Sequence, residues 1–160
     1  MPLCFISIGS NINREHNINS ALGVLQLQFG QFQHSSIYES TAVGFAGDAF
    51  YNLVSAFNCN QEANQIASQL KQIEADHGRI RSQEQFSSRT LDLDLLLYDQ
   101  QVINSENLKI PHHDILNYAF VLEPLAEISR ILKEIVYMRY WNGIKKDFDK
   151  SKYQQRRSNQ

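Results

Sequence analysis

Cysteine is scarce in this chain of 160 residues: Cys4 and Cys59 are the only two, and their separation fits no metal-ligand spacing. A disulfide scaffold and a cysteine-built zinc module are thereby disfavoured, and two reduced thiols of a cytoplasmic protein are expected. They are expected at opposite ends of neighbouring strands, where they do not meet. Long apolar runs are missing too. Uncharged stretches such as Phe50–Gln61 fall short of the roughly 20 apolar residues that span a bilayer. The opening MPLCFISIGSN has neither the basic segment nor the apolar run of a secretory signal. Repeats and low-complexity tracts are also lacking.

Positive charge is thin over most of the chain. Residues 1–132 hold 7 Lys and Arg against 14 Asp and Glu, whereas residues 133–160 hold 8 basic against 3 acidic side chains. An acidic body argues against nucleic-acid binding, which depends on Lys and Arg contacts to phosphate. Yet three of the body's seven cations, Arg79, Arg81 and Arg89, are packed into eleven residues, the mark of a local anion site. With 42% hydrophobic residues, the expectation is one packed domain over residues 1–141, followed by a basic, flexible tail over 142–160.

The pattern predicts a strand at Leu3–Ile8, a turn at Gly9-Ser10-Asn11, and a helix capped by Asn13 with Ile18, Ala21, Leu22 and Leu25 inward. A second strand follows over Gln31–Tyr38 and a third over Tyr51–Asn58. A second helix, capped by Asn60, faces Ala63, Ile66, Ala67, Leu70 and Ile73 inward and ends near Gly78. Ile80–Ser88 reads as a mobile loop, Thr90–Tyr98 as a fourth strand, and Ala119–Ile128 as a short packed helix. The order β-α-β-β-α-β is the split βαβ, or ferredoxin-like, α+β pattern, here with an extra C-terminal helix and tail.

Chemistry concentrates in Arg89-Thr-Leu-Asp-Leu-Asp-Leu-Leu-Leu-Tyr98. On a strand, Leu91, Leu93 and Leu95 share one face and Asp92 and Asp94 the other, with Cα atoms about 6.6 Å apart. Two such carboxylates either remain solvated on an edge strand or hold hard divalent cations. Arginine forks nearby suit phosphate oxygens, although simple Arg–Asp surface pairing is the alternative. There is no G-x-x-x-x-G-K-[ST] loop, no G-x-G-x-x-G and no G-x-S-x-G, so phosphoryl chemistry here relies on metal, arginines and positioning. The His112-His113 pair is either incidental or a donor to a leaving phosphate. Glu74 reads locally as a solvated helix carboxylate.

In this order, these residues resemble the 6-hydroxymethyl-7,8-dihydropterin pyrophosphokinase family. The likeness runs through Ile6-Ser-Ile-Gly-Ser-Asn11, Tyr38-Glu-Ser-Thr-Ala-Val-Gly44, Phe50-Tyr-Asn-Leu-Val54 and Ile73-Glu-Ala-Asp-His-Gly-Arg-Ile-Arg81. It continues through the Arg89–Tyr98 run, Pro111-His112 and Phe120-Val-Leu-Glu-Pro-Leu-Ala-Glu127. The resemblance implies a ferredoxin-like fold and transfer of pyrophosphate from ATP to the hydroxymethyl group of the pterin, releasing AMP. By the same resemblance, Asp92 and Asp94 hold two Mg²⁺ ions, and Arg81 and Arg89 join them as catalytic residues. Glu74, Arg79, Arg81, Arg89, Leu95 and His112 bind ATP. Ser40, Val43, Phe50, Asn52, Phe120 and Asp92 bind the pterin, with Phe50 and Phe120 stacking on its ring; locally, both rings read as core.

Two departures accompany the likeness. Phe86-Ser87-Ser88 replaces the family's usual Trp-Gly-Pro, and Tyr118 stands where a further phosphate-binding arginine is usual, so weaker ATP binding is expected. Beside an active enzyme, a diverged paralogue with altered pterin specificity or little kinase activity stays open, as does an RNA-binding module on the same topology. A monomer without nucleic-acid or membrane partners is expected.

Overall fold

A computed structural model describes residues 1–42, 44–78 and 90–129, together with the backbone of Gln155–Arg157. Arg79, Arg81, Arg89, Val43, the loop expected over 80–88 and most of the expected tail lie outside the described residues.

Strands β1 (Leu3–Ser10), β2 (Gln33–His34), β3 (Tyr38–Ser40), β4 (Phe50–Asn58), β5 (Asp92–Tyr98) and β8 (Gln155–Arg157) form one sheet, ordered β5-β1-β4-β3-β8 with β2 also on β4. The paired strands run antiparallel. Helices α1 (Arg14–Phe29) and α2 (Ala63–Asp76) make the two crossovers. This is the expected split βαβ α+β arrangement. A ribbon of β6 (Ile103–Asn104) and β7 (Lys109–Ile110) and two helices, α3 (Asp114–Asn117) and α4 (Ala119–Ile128), follow β5. Among the described residues, no helix is long and apolar enough to cross a membrane.

Strand alternation sorts the core into two clusters on opposite sheet faces. Ile6, Ile8, Leu53, Phe57, Leu91, Leu93 and Leu95 pack with Ile18, Ala21 and Leu25 of α1 and Ile66, Leu70 and Ile73 of α2. Phe5, Val54, Ala56 and Leu96 pack with Ile115 of α3 and Val121, Leu122 and Leu125 of α4. Among the described residues, the second face is covered by the short C-terminal helices.

Local details differ from the sequence pattern for identifiable reasons. The strand expected over Gln31–Tyr38 is broken, because Ser35 turns its hydroxyl to accept the Val54 N–H at 3.0 Å, side chain replacing backbone. Asn13 occupies the left-handed region at φ 42 and makes no side-chain cap; Asn17 Nδ2 donates instead to the Ile12 carbonyl at 2.6 Å. Glu62, not Asn60, precedes α2, with Gln65 Oε1 folding back to accept the Glu62 N–H at 3.1 Å. Ser10 and Gly9 continue β1 rather than forming a turn. Within the expected tail, Gln155–Arg157 pairs with Tyr38–Ser40.

The cysteines lie at the same end of their strands, contrary to expectation, because an antiparallel neighbour begins where its partner finishes. Leu3 pairs with Asn58, and the Cys59 N–H donates to the Pro2 carbonyl at 3.1 Å. Both are buried free thiols. Burial first, then the neighbouring Cys59 and Asp99, pushes the Cys4 thiol from 9.0 up to about 12. Its thiolate, the reactive form, is thus withheld in the native state. Native protein is expected to label far more slowly with iodoacetamide at pH 8 than denatured protein, and equal rates would contradict this burial. Because the folded thiol keeps a proton that the unfolded one releases, stability should decline as pH rises from 9.0 toward about 12.

Candidate active site

β5 is the edge strand of the sheet, and a bulge divides it. Ile6 pairs with Leu95 and Phe5 with Leu97, so Leu96 is an extra residue. Leu91, Leu93, Leu95 and then Tyr98 pack on the α1–α2 side, with Leu96 on the other. Strict alternation would instead have put Tyr98 on the face of Asp92 and Asp94. Upstream of the bulge, the expected separation of leucines from aspartates holds.

The register sets out the open face row by row. Gly9 stands between Asn52 and Asp92, and Ser7 between Val54 and Asp94. Asn52 Nδ2 donates to Ser40 Oγ at 2.8 Å, a buried bond that orients its carboxamide. A Cβ built on Gly9 would lie 3.1 Å from Asn52 Oδ1 and 3.9 Å from Phe50 Cδ1. Gly9, Phe50 and Asn52 therefore adjoin closely, in the row that ends at Asp92. Phe50 meets Phe45 edge-on at 6.4 Å, and Phe120, partly buried on α4, stacks at 4.9 Å on Tyr118.

Two polar clamps hold these pieces in place. Arg14 donates to the Ala49 carbonyl at 2.7 Å, pairs with Glu39 at 3.1 Å and lies over the Tyr51 ring, fixing the entry to β4 just before Phe50. Glu127 of α4 accepts hydrogen bonds from the Ser36 N–H, the Ser36 hydroxyl and the Tyr38 hydroxyl at 2.7–3.0 Å, tying the Phe120 helix to the sheet.

On the outer side of β5, Glu74 is 3% exposed and accepts the Leu93 N–H at 2.6 Å. The solvated carboxylate expected from local sequence is instead a buried partner for a backbone donor on an edge strand. Glu74→Ala should cost about 1.5–3 kcal/mol, the range for a hydrogen bond to a charged group. Glu74→Gln should also destabilise, because its amide trades the charged acceptor for a neutral one; urea titration of both variants tests the assignment.

Asp94 is 27% exposed at its side chain, and its carboxyl is raised well above the ordinary range. The causes are burial first, then the charges of Asp92, Glu74 and Asp114, opposed by Lys71. His112 hangs from the bulge, its N–H donating to the Leu96 carbonyl at 2.9 Å, with Nε2 3.9 Å from Asp94 Oδ1. Burial lowers the imidazole's pKa against the opposing pull of Asp114, keeping the ring neutral near pH 7. A cavity of about 170 Å³ opens here, lined by Leu70, Leu93, Leu95, Asp94 and His112, with Lys71 and Lys109 at its walls. Asp94, Leu95 and His112 thus converge on one cavity, while Ser40, Phe50 and Asn52 gather across the sheet. Sequence reasoning assigned no site role to Gly9, Arg14, Lys71, Lys109 or Glu127; Gly9 read as part of a turn because Ser and Asn follow it.

A carboxylate pair of hard oxygen donors, whose mutual charge helps raise the Asp94 carboxyl, fits a Mg²⁺ site, since a dication relieves that repulsion. Such a pair, set between a cavity at the edge of β5 and the row of Asn52 and Phe50 across the sheet, suits an α+β enzyme with two adjoining places for small ligands. The family profile described as 7,8-dihydro-6-hydroxymethylpterin-pyrophosphokinase (HPPK) matches residues 5–130.

Three bacterial relatives carry the name 2-amino-4-hydroxy-6-hydroxymethyldihydropteridine pyrophosphokinase. That of Haemophilus influenzae is 34% identical over 148 residues, covering 85% of this chain and 92% of that protein. That of Bacillus subtilis is 35% identical over 138 residues, covering 80% and 78%. That of Pseudomonas aeruginosa is 32% identical over 133 residues, covering 81% and 82%. The chain belongs to the HPPK family.

Proposed function

We propose how the residues of this face carry the family's reaction, ATP-dependent pyrophosphoryl transfer to the hydroxymethyl group of a dihydropterin in folate biosynthesis. ATP is the co-substrate. In this reading its adenine enters the cavity beside Leu70, Leu93 and Leu95, and its phosphates run past His112 and Lys71 toward Asp92 and Asp94. Arg79, Arg81 and Arg89 supply further phosphate contacts, and Glu74 acts on the adenosine side by holding β5 in place. The pterin occupies the space edged by Phe50 and Phe120. Its polar edge meets Asn52, Ser40 and the backbone near Val43, and its flat rings gain area from aromatic stacking.

Asp92 and Asp94 hold Mg²⁺, two ions in this reading, whose charge when bound offsets the negative charge gathering on the phosphates. The remaining work falls to the chain. Asn52 and the aromatics fix the pterin so that its hydroxymethyl oxygen faces the β-phosphorus. That oxygen forms the new P–O bond as its hydroxyl proton passes to solvent water, the bond between the β-phosphorus and the α–β bridging oxygen breaks, and AMP departs with that oxygen. The neutral His112 is a donor for the phosphate chain, and the arginines share the charge on the leaving group. Positioning dominates, because phosphoryl transfer leaves little covalent chemistry for the protein. The protein acts as a cytoplasmic monomer without nucleic-acid or membrane partners.

The observation that carries this reading is the row Asn52–Gly9–Asp92, which sets the pterin-side amide and a metal-type carboxylate on one sheet face. Mixing the protein with Mg²⁺, ATP and 6-hydroxymethyl-7,8-dihydropterin should release AMP, and omitting the pterin should stop it. AMP release at the same rate without pterin, or none with it, would count against the proposal.

A further inference from the structure

His112, His113 and Asp114 form a second cluster that the reaction above leaves largely unused. Each offers one donor atom, and the three atoms lie within 4.8 Å of one another. The two imidazoles stack at 4.5 Å with 21° between their planes. His113 Nε2 is 3.0 Å from Asp114 Oδ1, and His112 Nδ1 is 3.8 Å from Asp114 Oδ2. The tautomer of His112 is settled by chemistry: the Asp114 backbone N–H, which can only donate, points at Nδ1 at 3.2 Å. Nδ1 therefore carries no proton; its one lone pair, which here accepts the Asp114 N–H, is the donor a metal would take in exchange for that bond, while the protonated Nε2 faces Asp94 on the other side of the ring. His113 is 64% exposed at its side chain, so water has access to complete a coordination shell.

We infer that His112, His113 and Asp114 form a binding site for a zinc-class divalent ion, separate from the Asp92–Asp94 pair. Two imidazole nitrogens and one carboxylate suit Zn²⁺, Co²⁺ or Ni²⁺, which favour nitrogen donors; Mg²⁺ favours an all-oxygen shell. Zinc ligands sit about 2.0–2.2 Å from the ion, so side-chain rotations that close the present spacing complete the site without moving β5. Because His112 turns one nitrogen to each cluster, the ion bound at Nδ1 shares its imidazole with the nucleotide side. Zinc occupancy should therefore change the apparent affinity for ATP.

The test uses the full chain, stripped with EDTA and returned to excess Mg²⁺. Titration with Zn²⁺ by calorimetry should show one site, and Co²⁺ should give a visible absorption band of nitrogen-ligated metal. His113→Ala should weaken Zn²⁺ binding at least about 10-fold and abolish the cobalt band. Its fold, followed by circular dichroism, and its zinc-free AMP-forming activity should be unchanged. Asp92→Asn should leave Zn²⁺ binding intact. Unchanged zinc affinity in His113→Ala would overturn the inference, as would its loss in Asp92→Asn, which would put the ion on the acidic pair.

Discussion

Asp94→Asn should cut AMP formation by about 10³-fold or more while making the ligand-free protein more stable. On the proposed metal site, the loss follows from removing a charged oxygen where phosphate charge would be balanced, a deficit that mutation of electrostatic catalytic groups commonly produces. The gain follows from the raised carboxyl, which burial and the charges of Asp92, Glu74 and Asp114 push upward. Between the unfolded and folded pKa values, the native state holds a proton that the unfolded state has released. Native stability consequently falls as pH climbs from the unfolded toward the folded value. Asparagine removes this penalty. Melting temperature should rise by about 2–4 °C for each kcal/mol relieved at this chain length, and the advantage should shrink as the pH is lowered toward the unfolded value. Added Mg²⁺ should stabilise the parent protein and do little for the variant. A variant less stable than its parent at every pH would mean that Asp94 is a structural carboxylate. Near-normal turnover would remove it from the metal site.

Substitution of Gly9 should be nearly as damaging, for a different reason. Its backbone lies in an ordinary strand, so a side chain there is not opposed by torsional strain; it is opposed by what fills the space. With Asn52 Oδ1 3.1 Å from the added Cβ, alanine forces the carboxamide to yield by a few tenths of an ångström. Valine cannot be accommodated without turning the amide away from Ser40. A displacement of about 1 Å in a positioning group can cost 10²-fold in rate. Gly9→Ala should therefore raise the KM for the pterin about 10-fold, and Gly9→Val should lower kcat/KM by about 100-fold, both with ATP affinity near that of the parent. Circular dichroism and urea melts would separate this from unfolding. Equal loss of ATP and pterin affinity in a folded Gly9→Val protein would show that the glycine is needed for the sheet alone.

The sequence made some of this legible and hid the rest for physical reasons. Alternation through Leu91–Leu95 put the aspartates opposite the leucines, because a period-two pattern has one solution on a strand with a buried face. The helix over Ala119–Ile128 was legible from its largely apolar content, interrupted only by Glu123, Pro124 and Glu127. Glu74 was not: an acidic residue on a helix is ordinarily solvated, and nothing local reveals that it faces an edge-strand N–H nineteen positions away. The bulge at Leu96 was equally silent, since three consecutive leucines carry no phase. Gly9 was hidden by its neighbours, whose turn chemistry in fact serves the end of β1: Ser10 Oγ donates to the Thr90 carbonyl at 2.6 Å. Arg14 and Glu127 could have been singled out only by asking which charges sit beside the matched segments, because their partners are distant in sequence.

The extra residue at Leu96 makes β5 two independently phased halves. Whatever happens downstream, in the β6–β7 ribbon or the His112 turn, can shorten, lengthen or drift by a residue without rotating Asp92 and Asp94 off their face, since the irregularity absorbs the slip. Removing Leu96 would fuse the halves into a single rigid ruler, and every later adjustment of the cavity beside His112 would then have to be transmitted through Asp92 and Asp94.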